Sequence, residues 1–562
     1  MLISDDELKQ LIVKNGLSNE NALSTISEFA KNSGVSLSDA LIEKDVISDE
    51  NLGLLIADHL HFPFIILSKI TIPEDVFHIV PEKVARKQKL ISFAKDEQGL
   101  KLAMVDPTNT EIQEMISKKT GFKVIPHLTT EREVENTLRI YRKDLQKTFE
   151  QLLKTELGAV DPKQITDDAP IAKIVDLLIE FAYQDKASDM HIEPQEKESL
   201  VRFRIDGILH DMLTLPRNFH DRIISRIKIV SRLRTDEHLS PQDGKMRVKL
   251  EEEDLDIRVS ILPIADGEKA VLRLLESKFR QFSLLDLGMN EKDLIKVTNS
   301  YNKSYGMILS TGPTGSGKTT SIYSILKVLN TREKNITTIE DPVEYRIKGV
   351  NQIQVNQKTN LTFASGLRSI LRQDPNIVFV GEIRDSETAG IAVNAALTGH
   401  LVLSTLHTND AATALPRLID MKIEPFLVAS TVNIIVAQRL VRKICEMCKA
   451  SFNILQADLV KNLPQEIVLK HFGDKQEFTI YQGKGCKICH NTGYAGRFGV
   501  YEVLEVSKEI KKLIAEKKDS DEILKKAIDE GMTTMLDDGL EKVAKGVTTI
   551  EEVLRVTKVE SL

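Results

Sequence analysis

The 562-residue sequence has no tryptophan, only four cysteines and 5% aromatic residues. An aromatic-rich basic stripe, on which single-stranded nucleic acid would stack, is therefore missing. Lys and Arg total 76 against 83 Asp and Glu, a net charge of −7, so no overall basic field selects nucleic acid as the partner. No apolar run reaches the roughly 18 residues of a membrane helix. The most apolar stretch, 426–441, is broken by Ser430, Thr431, Asn433, Gln438 and Arg439. The opening Met1-Leu-Ile-Ser-Asp-Asp-Glu7 is acidic where a signal peptide needs positive charge, and no small-residue cleavage site follows, so a cytoplasmic chain is expected. In that reducing compartment, paired cysteines read first as metal ligands.

What is present is a globular composition, 41% apolar and 28% charged, in a chain long enough for about four domains. Residues 1–61 contain an internal repeat: Leu11-Ile-Val-Lys-Asn-Gly-Leu-Ser-Asn-Glu-Asn21 matches Leu41-Ile-Glu-Lys-Asp-Val-Ile-Ser-Asp-Glu-Asn51 at six of eleven positions. Each copy puts an apolar helix end before a Ser-x-Glu step, which predicts two similar helical hairpins. Over 62–141, short apolar runs (Phe64–Leu67, Leu100–Val105) punctuated by prolines predict a small α/β unit with no recognisable chemistry. Residues 142–170 read as a partly helical linker. Residues 171–285 open with a helical pattern and continue in alternating strands such as Leu200–Asp206 and Asp256–Ile261, an α/β domain with an antiparallel sheet. From 286 to 562 short apolar strands (Gly306–Thr311, Ile336–Ile339, Ile377–Val380, Leu401–Thr405) alternate with helical stretches, which predicts a sheet covered on both faces.

Gly312-Pro313-Thr314-Gly315-Ser316-Gly317-Lys318-Thr319 follows a predicted strand and opens a predicted helix that continues through Thr320, the context a phosphate-binding loop requires. Its glycines let backbone N–H groups close around phosphate oxygens at a helix N-terminus. Lys318 is placed to reach the β- and γ-phosphates of ATP, and Thr319 to ligate Mg²⁺. Two acidic clusters end predicted strands: Glu340, Asp341 and Glu344 after one, Glu382 after another. The carboxyl ends of parallel strands form the ligand crevice, so both clusters face the loop. A solvated or capping role is the simpler reading of any one of these carboxylates, and their conjunction favours catalysis. His400 and His407 flank the strand 401–405, and each by itself reads as a hydrogen-bonded structural histidine. Cys445-Glu-Met-Cys448 and Cys486-Lys-Ile-Cys489, separated by 37 residues, offer four thiolates in two chelating pairs, suited to a structural tetrahedral Zn²⁺ site. Gly483, Gly485 and Gly493 supply its tight turns, an inserted helical segment is expected between the pairs, and a disulfide or redox pair is the rival reading.

These motifs in this order resemble the secretion ATPases of type II secretion systems and type IV pili, in particular the assembly (extension, PilB-like) branch. Gly312–Thr319 looks like the Walker A loop, Thr338–Glu344 like the aspartate box, Leu371–Asp385 like the Walker B region and Gly399–Thr408 like the histidine box. The resemblance covers about residues 165–560. It implies a homohexameric motor in which a PAS-like domain precedes a RecA-like P-loop ATPase domain carrying the zinc insertion at about 440–500. By the same resemblance Glu344 is the general base, Glu382 the Walker B carboxylate near Mg²⁺ and His407 a γ-phosphate contact, while Arg202 and Arg217 close on the phosphates. The cysteine array separates the chain from the retraction branch. The repeat in 1–61 resembles a cyclic-di-GMP-binding module but lacks its Arg-Leu-Gly opening, and Val46 stands opposite Gly16. The expectation is thus docking on an inner-membrane platform protein, giving peripheral membrane association, and not messenger binding. Pilus extension is the leading function; a type II secretion pseudopilus motor and a nucleotide-gated docking protein with little turnover are the alternatives.

Overall fold

Four helices open the chain: Asp5–Lys14, Glu20–Ser33, Leu37–Glu43 and Asp49–Leu60. A capping box starts the first, with Ser4 N–H donating to Glu7 Oε2 (2.8 Å) and Glu7 N–H to Ser4 Oγ (3.3 Å). Leu8, Ile12, Leu23, Leu41 and Leu52, from all four helices, close one small core. The sequence repeat survives in space with a slip of one residue. Ser48 caps the fourth helix by accepting from Asn51 N–H (3.3 Å), whereas the second is capped by Asn19, which accepts from Ala22 N–H (2.9 Å).

The computed structural model describes residues 2–33, 36–43, 46–70, 72–138, 145, 148–151, 169–250, 254–275, 283–461 and 463–557. The linker expected over 142–170 lies mostly outside them. Ahead of it, β1 (Leu90–Asp96) and β2 (Gly99–Met104) form an antiparallel hairpin, and β2 pairs in parallel with β3 (Val124–Leu128) after the helix Thr110–Thr120. The apolar run Phe64–Leu67 makes no strand: Phe64 forms a single bridge to Leu128, and Leu67 opens a 3-10 turn.

Residues 169–275 hold β4 (Asp189–Pro194), β5 (Glu198–Ile205), β6 (Ile208–Pro216), β7 (Gln242–Lys249), β8 (Asp254–Ile264) and β9 (Gly267–Leu275) in one antiparallel sheet of order β6-β5-β4-β9-β8-β7. Alternation decides its two faces. Val201, Phe203, Ile257 and Val259 are buried in a core shared with the helices Ala169–Gln184 and Arg217–Val230. Arg202, Arg204 and Arg258, at the alternate positions, are only partly buried.

The last part of the chain contains β10 (Gly306–Thr311), β11 (Ile336–Glu340), β12 (Asn351–Gln354), β13 (Ile377–Val380), β14 (Leu401–Leu406), β15 (Val432–Ile444), β16 (Lys449–Leu455), β17 (Glu477–Gly483) and β18 (Tyr494–Glu505). Seven form a sheet of order β12-β11-β13-β14-β10-β15-β18, parallel except for β18. Both faces are covered. Met307, Leu309, Val378, Val380 and Val402 join one core, while Ile308, Ile377, Phe379, Leu401 and Leu403 join another with the helix Lys318–Leu329. Burial on both faces is why these strands read as continuous apolar runs. Leu284 already belongs to the second core. The segment between the two cysteine pairs is not purely helical as expected: β16 and β17 pair antiparallel around two short helices, Gln456–Val460 and Gln465–Phe472. Among the described residues, no helix is long and apolar enough to cross a membrane.

Leu403 is fully buried in the central strand β14. Leu403→Ala is expected to destabilise the fold by about 2–5 kcal/mol, read as a lower urea midpoint.

Candidate functional site

Strand β10 ends where its neighbours part, β14 on one side and β15 on the other, and there the chain turns through residues 312–317 into the helix Lys318–Leu329. The turn needs glycine for two reasons. Gly312 (φ 146°) and Gly317 (φ 89°) occupy backbone conformations that side chains disfavour. A Cβ on Gly312 would also meet Gln438 O at 2.5 Å and Ser316 Oγ at 2.6 Å, and one on Gly317 would meet Gln438 Nε2 at 3.0 Å. Pro313, Thr314 and Gly315 form the exposed tip; Thr319 and Thr320 are half-buried at the helix start. Lys318 folds over the loop, donating from Nζ to the carbonyls of Gly312 (2.8 Å) and Pro313 (2.9 Å). Burial lowers its pKa, the Glu382 carboxylate opposes that shift, and the Arg439 guanidinium adds to it.

Glu382 follows β13 by two residues and is largely buried. It accepts a 2.5 Å ion pair from Arg384 and lies 3.2 Å from His407 Nε2. Hydroxyl groups fasten the three strand ends together. Thr405 Oγ1 donates to Gly381 O (2.7 Å), and Thr311 Oγ1, which accepts from Thr408 N–H (3.0 Å), joins the end of β10 to that of β14. The loop lysine, Glu382 and His407 are thereby brought to one place, while His400, at the opposite end of β14, bonds Ala395 O (3.0 Å).

The other acidic cluster divides into two environments. Glu340 is buried; burial raises its pKa, opposed by hydrogen bonds from Thr338 (2.5 Å), Tyr323 and Gln352 (3.3 Å). Tyr323 lies on the helix that starts at Lys318, so this network ties β11 to that helix. Glu344 is more exposed and faces Arg258 of β8, with 3.5 Å from Nη1 to Oε2, while Arg258 Nη2 donates to Val343 O (2.7 Å). Arg202 instead pairs with Glu193 (2.6 Å), and Arg217 with Asp221 (3.3 Å) and Asp266 O (2.6 Å), all within residues 169–275.

Three contributors were missed in the sequence. Gln438 donates to Ser316 O (2.7 Å), bracing the loop; Arg439 stands beside it and donates to Asn409 O (3.1 Å); Arg258 grips the aspartate-box segment. The signal for the first two was available: they interrupt the apolar run 426–441, where a buried strand has little reason to carry a polar pair.

The four cysteine sulfurs converge, all within 4.8 Å of one another, and none is in a disulfide. Cys445–Cys486, Cys448–Cys489 and Cys486–Cys489 Sγ separations are 3.8, 3.9 and 3.7 Å. A tetrahedron with Zn–S bonds of about 2.3 Å has edges of about 3.8 Å, so the donor set fits a tetrahedral zinc ion. Backbone N–H groups of Gly485 and Gly493 point at Cys448 and Cys489 (both 3.3 Å). A hydrogen bond from Cys445, helped by the N–H groups of Cys486 and Gly493, lowers the pKa of the Cys489 thiol, and the same bond raises that of Cys445. Gly483 and Gly493 are in backbone contact, which leaves no room for a side chain at 483. Hard oxygen donors for Mg²⁺ are present in Thr319 and Glu382.

Residues 164–555 match the family described as type II/IV secretion system protein, and residues 60–147 match the MshEN domain. The chain is 37% identical over 561 residues to the type IV pilus assembly ATPase PilB of Myxococcus xanthus, covering 97% of this chain and 98% of that one. It is 45% identical over 417 residues to type II secretion system protein E of Pseudomonas aeruginosa, covering 74% of this chain and 80% of that one. Among solved structures, the Legionella pneumophila ATPase DotB shares the fold, with a TM-score of 0.51 at 19% identity over 71% of this chain and 97% of that one. The chain belongs to the type II/IV secretion system protein family, and it is an ATPase. The MshEN match falls on the small α/β part, to which no chemistry had been assigned, and only its first two residues overlap the helical repeat of 1–61.

Gly312→Ala is expected to force the loop off Gln438 and weaken nucleotide binding by about tenfold or more, about 1.4 kcal/mol, in a fluorescent-nucleotide titration. A second expectation concerns Glu193. Burial favours its neutral form, but hydrogen bonds from Arg202 and Lys269 hold its carboxyl at about 2, below the ordinary 4.5. A depressed carboxyl pKa gives stability that is complete above the unfolded value and lost as pH falls towards the folded one. Arg202→Ala should therefore lower the urea midpoint more at pH 7 than at pH 3, the two proteins converging as the acid limit is approached.

Proposed function

We propose that this protein is a hexameric ATP-hydrolysing motor that powers assembly of type IV pili at the bacterial inner membrane. The observation that carries the reading is the end-to-end match with a pilus assembly ATPase, over 97% of this chain and 98% of the relative. The match with the type II secretion relative spans 74% and 80% at higher identity, 45%, and that supports a pseudopilus motor as the second reading.

The mechanism follows from the charges. ATP brings negative charge to the loop 312–319, where the backbone N–H groups, Lys318 and the helix N-terminus meet it. Thr319 and Glu382 are the residues that would hold Mg²⁺, which would neutralise charge on the phosphate oxygens. Glu344 takes a proton from the attacking water, and His407, tethered to Glu382, contacts the γ-phosphate. Arg202 and Arg217 are assigned to charge neutralisation on domain closure; for that they exchange their present carboxylate partners for phosphate. Zn²⁺ on Cys445, Cys448, Cys486 and Cys489 is structural, since the protein fills all four positions. A platform protein in the inner membrane is the proposed docking partner, nucleic acid is not a partner, and cyclic-di-GMP is not assigned to residues 1–61.

Purified protein is expected to hydrolyse ATP with Mg²⁺ and to show the mass of six chains by light scattering. Lys318→Ala and Glu344→Gln should each cut turnover by about a hundredfold or more, the Glu344 variant retaining nucleotide binding. Binding without turnover in a hexamer, even with platform protein added, would remove the motor reading.

A further inference from the structure

The cysteine knuckle touches both of the domains that precede the ATPase part. On one side, Met447, between Cys445 and Cys448, packs against the core that holds Leu90, Leu102 and Leu138 of the MshEN-matched domain. Lys443, two residues before Cys445, is half-buried, with Glu133 and Arg132 of the MshEN-matched domain and Asp286 close enough to act on its charge. Arg132 in turn donates to Asp286 (3.2 Å). On the other side, Gly496 N–H donates to Asp206 Oδ2 (2.6 Å) at the β5–β6 turn. His490, next to Cys489, lies 3.6 Å from the buried Asp185 carboxylate and 5.5 Å, ring to ring, from His210.

Met447 and His490 lie in segments with little regular structure to hold them, while Lys443 and Gly496 stand at the knuckle ends of β15 and β18. Residues 445–448 and 484–493 contain one 3-10 turn, and the register of β15 against β18 shifts between Arg442 and Ile444, just before the first cysteine. Four thiol groups at about the edge length of a zinc tetrahedron have no mutual attraction that would fix them there without an ion, and metal binding to such loops is folding free energy.

We propose that the zinc-loaded knuckle is the clamp that holds the MshEN-matched domain and the six-stranded domain onto the ATPase domain of the same chain. Zinc loading then sets the domain arrangement as well as the local fold. Lone salt bridges on this surface contribute little; the clamp works because Met447, Gly496 and His490 are carried on one rigid unit and meet two domains at once. The inference rests on the metal reading of the cysteines and not on the motor reading.

The test is hydrogen exchange on the full-length protein, zinc-loaded, chelator-stripped and reloaded, with zinc content measured in each sample. Removal of zinc is expected to speed exchange about tenfold in segments 131–137 and 204–210, reversibly, while the helix Lys318–Leu329 stays protected. A Met447→Ser/Asp206→Ala double variant, which keeps all four cysteines, should show the same loss of protection with its zinc bound. Unchanged protection in either sample overturns the clamp, as does loosening of the helix Lys318–Leu329 along with the two segments on chelation, because zinc would then be holding the ATPase fold and not the domain contacts. Purified protein without zinc would instead defeat the metal reading itself.

Discussion

The backbone of the phosphate-binding loop can lie against β15 only because positions 312 and 317 lack a Cβ. That approach places the carbonyl of Ser316 within 2.7 Å of Gln438 Nε2 and brings Lys318 over the loop carbonyls. The rest of the site depends on it. With the loop held this way, the helix beginning at Lys318 points its N-terminus out of the sheet at the ends of β13 and β14, where Glu382 and His407 stand. The pairing of loop and strand, a side-chain amide donating to a backbone carbonyl, is in place before any substrate arrives and needs no reorganisation when charge moves.

The sheet around this loop is stitched at its carboxyl edge by hydroxyls and a buried carboxylate, not by ion pairs between long side chains. Thr311, Thr405 and Thr408 link three strand ends, and Glu340 joins β11 to the helix through Tyr323. Short side chains lose little rotamer freedom when they bond, so such links fix positions at low entropic cost. The longer charged groups, Glu344 with Arg258 above all, occur where two domains meet.

β15 links the chemistry to the cysteine knuckle. It carries Gln438 and Arg439 beside the loop and ends at Ile444, next to Cys445. A strand hydrogen-bonded along most of its length is stiff, so the place where the two preceding domains lean on the ATPase domain is joined to the nucleotide loop by one continuous element.

Much of this was legible in the sequence because it depends on local pattern. Strands β10 and β13 run between the residues that their apolar runs marked, since a strand buried on both faces has no choice but to be continuously apolar. The loop 312–319 and the two CxxC pairs could be read because their spacing is their chemistry. The family likeness came from the same residues. Side-chain partnerships were not legible: nothing local says that Arg258 faces Glu344 while Arg202 turns to Glu193, since both sit on alternating strands of the same sheet. Nor could the sequence show that Gln438 braces the loop across 122 residues of chain, or that Met447 reaches the N-terminal core. The sequence by itself determined strands β10, β11, β13 and β14, the glycine-rich turn that follows β10 and the two CxxC pairs, because periodicity and spacing are local. Only the tertiary structure decided which charges meet, because strand order and domain contact bring together residues that no local rule connects.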